Sequence, residues 1–353
     1  MFDRRPALRW LVPGATVALI AAGALVGTSS VSADAGLEPL TPAELLVAVQ
    51  QAPTPALSGT VEVTTDLGLP ALPRGMAPAG TDPTALISGT NTVRVWSDGP
   101  ERARLAILGE GEEYDVIRNG DQVWTWTSTD TTATRYAVPQ GEMPATAPTA
   151  LPSTPQEAAD LVLGALDETT DVSVAGVASV AGRPVYELIL TPRDASTRVA
   201  RVAMAIDAET KTPLRVQVYS TQMADPAIEV GFTSVDFSSP DPAVFDFTPP
   251  SGATVVEKDG TDKAAYADAK PGDMATPVMV GSGWSRIAIA QLPADALSGD
   301  AAMLIGTLPT VSGTWGSGRV VDGTLVSAVI TDDGRVAIGA VDPTALTAAL
   351  AAE

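Results

Sequence analysis

The side chains best suited to chemistry in this chain are carboxylates in close pairs, Glu110 with Glu112 and Asp332 with Asp333. Two carboxylates suffice for the acid–base work of a glycosidase, and oxygen clusters of this kind can hold Ca²⁺. Both pairs fall in polar, turn-like stretches where solvated surface is the heavier reading, and no twelve-residue calcium loop surrounds them. The chain has no histidine and no cysteine. Neither a Ser-His-Asp nor a Cys-His centre can therefore be assembled, and the commonest ligands for zinc, copper and non-haem iron are missing. Disulfides and an acylated N-terminal cysteine are excluded on the same ground. The expectation is a protein with no catalytic residues, no metal site and no cofactor, one that binds and does not catalyse.

The N-terminus supplies an address. Arg4, Arg5 and Arg9 form a positive n-region, residues 11–26 are almost wholly apolar, and Val31-Ser32-Ala33 places small residues where a signal peptidase reads. Residues 1–33 are read as a signal peptide cleaved after Ala33, with an uncleaved N-terminal anchor as the alternative. The apolar run is broken by Pro13, Gly14 and Gly23 and is short of the ~20 residues a membrane span needs. The whole chain carries a net charge of −21, and removal of residues 1–33 leaves 18 basic against 41 acidic residues. Such a surface repels nucleic acid. The expected location is the cell envelope or another extracytoplasmic space, and the abundance of Ala, Thr, Pro and Gly with four lysines suggests a GC-rich bacterial genome.

Since no constellation of reactive groups defines a site, the elements must define it. Two helix starts share one punctuation: Thr41-Pro42-Ala43-Glu44 and Thr154-Pro155-Gln156-Glu157 each offer a threonine N-cap, proline at the first helical position and a glutamate placed for a capping box. Leu45, Leu46 and Val49 give the first helix an apolar face, and Ala158, Leu161, Val162, Ala165 and Leu166 do so for the second. Elsewhere the period is two. Strands are expected near 58–65, 90–97, 101–108, 113–119, 122–128, 134–138, 171–180, 183–191, 198–207, 213–221 and 227–237. Ser97-Asp98-Gly99-Pro100 and Asn119-Gly120-Asp121 read as hairpin turns, so the sheet should be an antiparallel meander.

About eleven twisted strands with two greasy helices leave a wide curved face with little to fill it, which points to a concave apolar cavity. Its candidate lining comes from the alternating runs: Val61, Val63, Trp96, Leu105, Trp124, Trp126, Leu188, Leu190, Val216 and Val218. The same residues would equally serve an ordinary closed core, and alternation does not say which strand face is inside. Residues 67–86 carry scattered leucines among Pro, Gly and Ala and read as a linker or as a lid over the cavity mouth; residues 139–152 read as a connector. Residues 253–271 are polar and charged and read as a linker. It separates a large domain at 38–252 from a small α+β domain at 272–353. In that small domain Gly283-Trp284-Ser285-Arg286-Ile287 opens a strand, helical stretches lie around 294–308, a strand over 318–331 turns at Asp332-Asp333-Gly334 into another over 334–341, and Asp342-Pro343 starts a last helix. The fold class is mainly β (α+β).

Taken in order along residues 38–255, several segments resemble the LolA-like superfamily, and within it a branch common in actinobacteria. They are the first capped helix, Ser58-Gly59-Thr60-Val61, Val93-Arg94-Val95-Trp96-Ser97-Asp98-Gly99-Pro100, Asn119-Gly120-Asp121-Gln122-Val123-Trp124, Tyr186-Glu187-Leu188, Ile206-Asp207 with Pro213-Leu214-Arg215-Val216, and the run from Phe245 to Pro250. The resemblance implies an unclosed half-barrel with helices over its concave side and a hydrophobic cavity for acyl chains. It implies a carrier or chaperone whose partner is a lipid or an acylated lipoprotein; the chain is expected to be a monomer. The alternative it carries is an RseB-like envelope-stress sensor that restrains an anti-sigma factor, with the unit from Trp284 onward contacting a membrane-protein partner. An arginine helps hold the lid shut in LolA; Arg102 and Arg104 both lie in the corresponding region, and neither is assigned.

Overall fold

The computed structural model describes residues 37–69, 81, 83–137, 153–164, 169–259, 277–292 and 299–352. The signal peptide at 1–33, the connector at 139–152, most of 67–86 and residues 260–271 of the expected linker lie outside the described residues. Among the described residues, no helix is long and apolar enough to cross a membrane.

Two sheets organise the chain. The first has twelve strands: β1 Leu57–Thr65, β2 Gly89–Ser97, β3 Arg102–Leu108, β4 Glu113–Asn119, β5 Gln122–Thr127, β6 Thr132–Ala137, β7 Thr170–Val180, β8 Arg183–Pro192, β9 Val199–Asp207, β10 Pro213–Ser220, β11 Pro226–Asp236 and β12 Thr254–Asp259. Their order in space is β12-β6-β5-β4-β3-β2-β1-β11-β10-β9-β8-β7, with the sheet unclosed. Two antiparallel meanders are thus joined through β1 and β11. The expected turns form where glycine takes a positive φ, at Gly99 (77°) and Gly120 (64°).

One strand of this sheet differs from the reading of the sequence. Thr254–Asp259, at the start of the span taken as a linker, pairs with β6 in parallel, Thr254 opposite Thr132 and Asp259 opposite Ala137. Val255 and Val256 alternate too briefly, before Glu257-Lys258-Asp259, to announce a strand.

Curvature is uneven. Four inter-strand steps separate β7 from β11, about 19 Å in a flat sheet, yet the two strands touch. That end of the sheet is rolled tightly about its own side chains. Helix α1 (Pro42–Gln51) packs on β7, and α2 (Pro155–Gly164) on β10 and β11. In α1 the capping box is complete: Thr41 Oγ1 accepts from Glu44 N, and Glu44 accepts from Thr41 N at 2.9 Å. In α2 the box is offset. Thr154 Oγ1 accepts from Glu157 N at 3.2 Å, but the Glu157 carboxylate turns to Ser153, 2.9 Å from both its N and its Oγ.

The second sheet has six antiparallel strands, in spatial order β13-β14-β18-β17-β16-β15: β13 Val278–Val280, β14 Ile287–Gln291, β15 Thr310–Gly313, β16 Gly316–Asp322, β17 Ser327–Thr331 and β18 Arg335–Gly339. Helix α3 (Gly299–Thr307) precedes β15. Helix α4 (Pro343–Ala352) covers one face, burying Leu346 and Leu350 against Ile289, Val329 and Ala337. The single strand expected over 318–331 is a hairpin, because Gly323 to Val326 fold out of the ladder and into contact with the large sheet.

Candidate ligand-binding face

Cross-strand register decides which of the ten candidate residues meet. Val174, Leu188, Met204, Val216, Val230 and Val63 lie side by side across six strands. The next row on the same face runs Val172, Leu190, Val202, Val218 and Ile228. On the other side of the first row, Phe232, Val61, Val93 and Ile107 continue the face, and Leu105 follows two residues before Ile107. Seven of the ten candidates, Val61, Val63, Leu105, Leu188, Leu190, Val216 and Val218, therefore share one face. Helices α1 and α2 lie over it through Leu45, Leu46, Ala158 and Ala159.

The three tryptophans do not join them. Trp96 and Trp124 occupy one row with Arg104, Ile117 and Arg135, and Trp126 sits opposite Asp115 and Ala133, all on the reverse face. There Trp124 and Trp126 receive the segment that runs from β11 to β12, while the Trp96 ring lies against Arg94 and Arg104. The Phe247 ring lies 5.5 Å from Trp124 and 6.2 Å from Trp126, centroid to centroid, and Phe245 is buried beside β3 and β4. Aromatic pairs at this spacing attract beyond their area, so these indoles anchor the strap that delivers β12 to β6.

The rows traced on this face are apolar and filled; at its margin Asn91 stands opposite Val63 and Thr65 opposite Ile228. Val61, Val63, Leu188 and Leu190 are wholly buried, Val216 nearly so, and Leu105 and Val218 line its edge. None of the rows traced on it contains an ionisable side chain. The face can exclude water and hold hydrocarbon; it has no group to move a proton. The two acidic pairs lie elsewhere: Glu112 closes the β3–β4 turn through its carbonyl, and Asp333 braces the β17–β18 turn against Arg335 at 3.0 Å. Among the described residues no group of His, Cys, Asp or Glu is arranged to hold a metal ion.

Two buried carboxylates escaped the sequence reading. Asp115, on the reverse face, accepts from Arg104 Nε at 2.9 Å, while Glu113 takes the Nη2 of the same arginine at 3.3 Å. Burial pushes the Asp115 carboxyl up to about 6, against the opposing pull of Arg104 and with some help from Glu113. Asp207 closes the β9–β10 turn: burial would raise its carboxyl, but hydrogen bonds from Arg183 and Thr210 outweigh that and hold it below the ordinary carboxylate value. In sequence both aspartates interrupt an alternating run, and the arginine partnered with each lies on the neighbouring strand.

Residues 84–246 match the family model described as the MucB/RseB N-terminal domain. No curated protein matches the chain. Among solved structures, the chain is similar to MucB (16% identity, covering 88% of this chain and 96% of MucB, TM-score 0.42). It is also similar to the Pseudomonas aeruginosa MucA/MucB complex (17% identity, 87% and 94% coverage, TM-score 0.43). A LolA superfamily protein from Nitrosomonas europaea matches at 11% identity over 59% of this chain and 99% of its own, with TM-score 0.23. The family match ends at residue 246, so it takes in most of the large sheet, from β2 to β11, and none of the small one.

Proposed function

We propose that this chain is an extracytoplasmic lipid-binding protein that takes acyl chains against the α1- and α2-covered face of its LolA-like sheet. The observation that carries this reading is the continuity of that face: apolar residues side by side over six strands, with no charge among them. Burying hydrocarbon is worth ~0.8 kcal/mol per CH₂, so a sixteen-carbon chain offers roughly 12 kcal/mol before the costs of binding are subtracted. Those costs include moving whatever fills the face. Native mass spectrometry of protein gently extracted from its own host should show a lipid adduct. A bare polypeptide mass from several independent preparations counts against the reading.

Held lipid serves either carriage or sensing, and one feature favours an RseB-like sensor: the small sheet packs into the same core as the lipid face, through Leu325, Val326, Trp284 and Ala340. A carrier has no need of that coupling. The sensor would report to a membrane-protein partner through the small sheet. Photo-crosslinkers placed at Val278 and Ile338, exposed on that sheet, should capture one membrane protein in host envelopes. Capture of acylated lipoproteins alone would favour the carrier.

A further inference from the structure

The two sheets meet at the residues that lead into β9. Thr197 pairs with Val341 as an isolated antiparallel bridge, and its hydroxyl lies 2.9 Å from the carbonyl of Ala340 and 3.1 Å from that of Trp284. Arg198 N donates to Ala340 O at 2.7 Å. The Arg198 side chain is 5% exposed; its guanidinium pairs with Asp322 at 2.6 Å and Asp342 at 3.4 Å and donates to Gly323 O. The Asp322–Val326 loop is held from two further directions. Ser220 Oγ donates to Thr324 O at 2.5 Å, and Thr324 N donates to Leu67 O, just past β1, at 2.8 Å. At the tip of this loop Leu325 enters the core that contains Val61, Leu188 and Val216.

The lipid face is filled, so an acyl chain enters by displacing something. The sheet ladders cannot yield without breaking strands. The Asp322–Val326 loop reaches the large sheet through side-chain contacts and single backbone bonds, and its central cation is an awkward one: a buried guanidinium whose Nε has no partner. Such a group is costly to desolvate and is compensated while its acidic partners stay docked. We infer that this junction is a latch. The Asp322–Val326 loop forms one wall of the acyl-chain site, Arg198 holds that wall in place, and loading of the site is coupled to undocking of the small sheet. The inference rests on the lipid-binding reading above and names how that site is regulated. Coupling of this kind is reciprocal: whatever fixes the latch must weaken acyl-chain binding, and whatever loosens it must strengthen binding. Displacement of α1 or α2 alone would load the site without engaging the latch, and the following test separates the two.

Thr197 and Val341 are antiparallel partners, and such pairs place Cα atoms about 4.5–5.5 Å apart, within the reach of a disulfide. The natural chain has no cysteine to interfere. The full-length double variant T197C/V341C is titrated with cis-parinaric acid, a fluorescent fatty acid, once oxidised and once reduced. Oxidation should weaken binding roughly tenfold relative to the same protein reduced, within the usual range of allosteric coupling. Asp322→Asn, which loosens the latch at a half-exposed position, should tighten binding a fewfold. Equal affinity in the oxidised and reduced forms, with the disulfide verified by mass, overturns the latch while leaving lipid binding intact. A wild-type protein that takes up no probe overturns the lipid reading and the latch together.

Discussion

Leu188 lies in the middle of the face proposed to hold lipid, wholly buried, between Val174 on β7 and Met204 on β9. Leu188→Ala removes three carbons from a site that is closed on every side. Comparable truncations in well-packed cores cost about 2.7–5.0 kcal/mol, the upper figures where the surroundings cannot collapse, and a residue pinned in a rolled sheet belongs toward the upper end. The same truncation should improve ligand binding. An acyl chain that settles into the vacated volume no longer displaces three carbons, and at ~0.8 kcal/mol per methylene the gain is at most about 2.4 kcal/mol, roughly fiftyfold in affinity. Urea denaturation reads the first effect and cis-parinaric acid titration the second. Ile289→Ala is the control, since it removes three carbons from the separate core of the small sheet and should cost comparable stability with no gain in affinity. If Leu188→Ala loses stability as expected while its affinity stays level or falls, the guest does not use this face and the reasoning fails.

Three further outcomes can be checked. Asp207→Asn should cost about 2–4 kcal/mol at pH 7, because it leaves Arg183 without its buried partner; the wild-type carboxyl titrates below its ordinary value, so this advantage is complete above about pH 4 and fades as pH falls through the lowered folded value, and a deficit equal at pH 7 and pH 3 in urea melts would contradict it. Asp115 has the opposite sign: its carboxyl is raised to about 6, so wild type loses stability relative to Asp115→Asn as pH rises from about 4 to about 6 and no further above that, and parallel stability curves for the two proteins would refute the shift. Gly59→Ala should destabilise by about 1–3 kcal/mol, since a Cβ there would lie 2.5 Å from Ser234 O and 2.8 Å from the Phe232 ring; an unchanged thermal midpoint would show that the β1–β11 pairing, whose register shifts between Thr60 and Val61, can absorb a methyl group.

Period-two alternation made the meander legible, as did the turn residues between strands, because both signals are local: Val93 and Val95 on β2 or Leu188 and Leu190 on β8 mark a face wherever the strand ends up. Which faces meet was not legible. Trp124 and Trp126 alternate as cleanly as Leu188 and Leu190, yet their partner is Phe247, over a hundred residues away on a strap with no strand period of its own. Strand β12 was hidden for a related reason. Its six residues form a strand against β6 only after that strap has crossed the sheet, and a parallel edge strand with a charged end has no local pattern to distinguish it from a linker.

The Arg198 junction was beyond sequence reading too, and it bears most directly on what the protein is for. A carrier and a sensor can share one apolar face; they differ in what the guest moves. If acyl chains displaced the covering helices alone, the cost of loading would stay within the large sheet, and release to an acceptor would need only that the helices return. Displacing Leu325 instead breaks contacts of Arg198 with Asp322 and Gly323, and the energy of loading is then stored as a change in how a second sheet is held. That arrangement costs affinity, since some burial energy is consumed in undocking the loop, and a pure carrier would gain nothing from it. A sensor requires it, because a ligand can shift an equilibrium only by the difference in its affinity for the two states. Weak acyl-chain binding that strengthens when Asp322 is neutralised would therefore argue for sensing, whereas tight binding indifferent to the latch would argue for carriage.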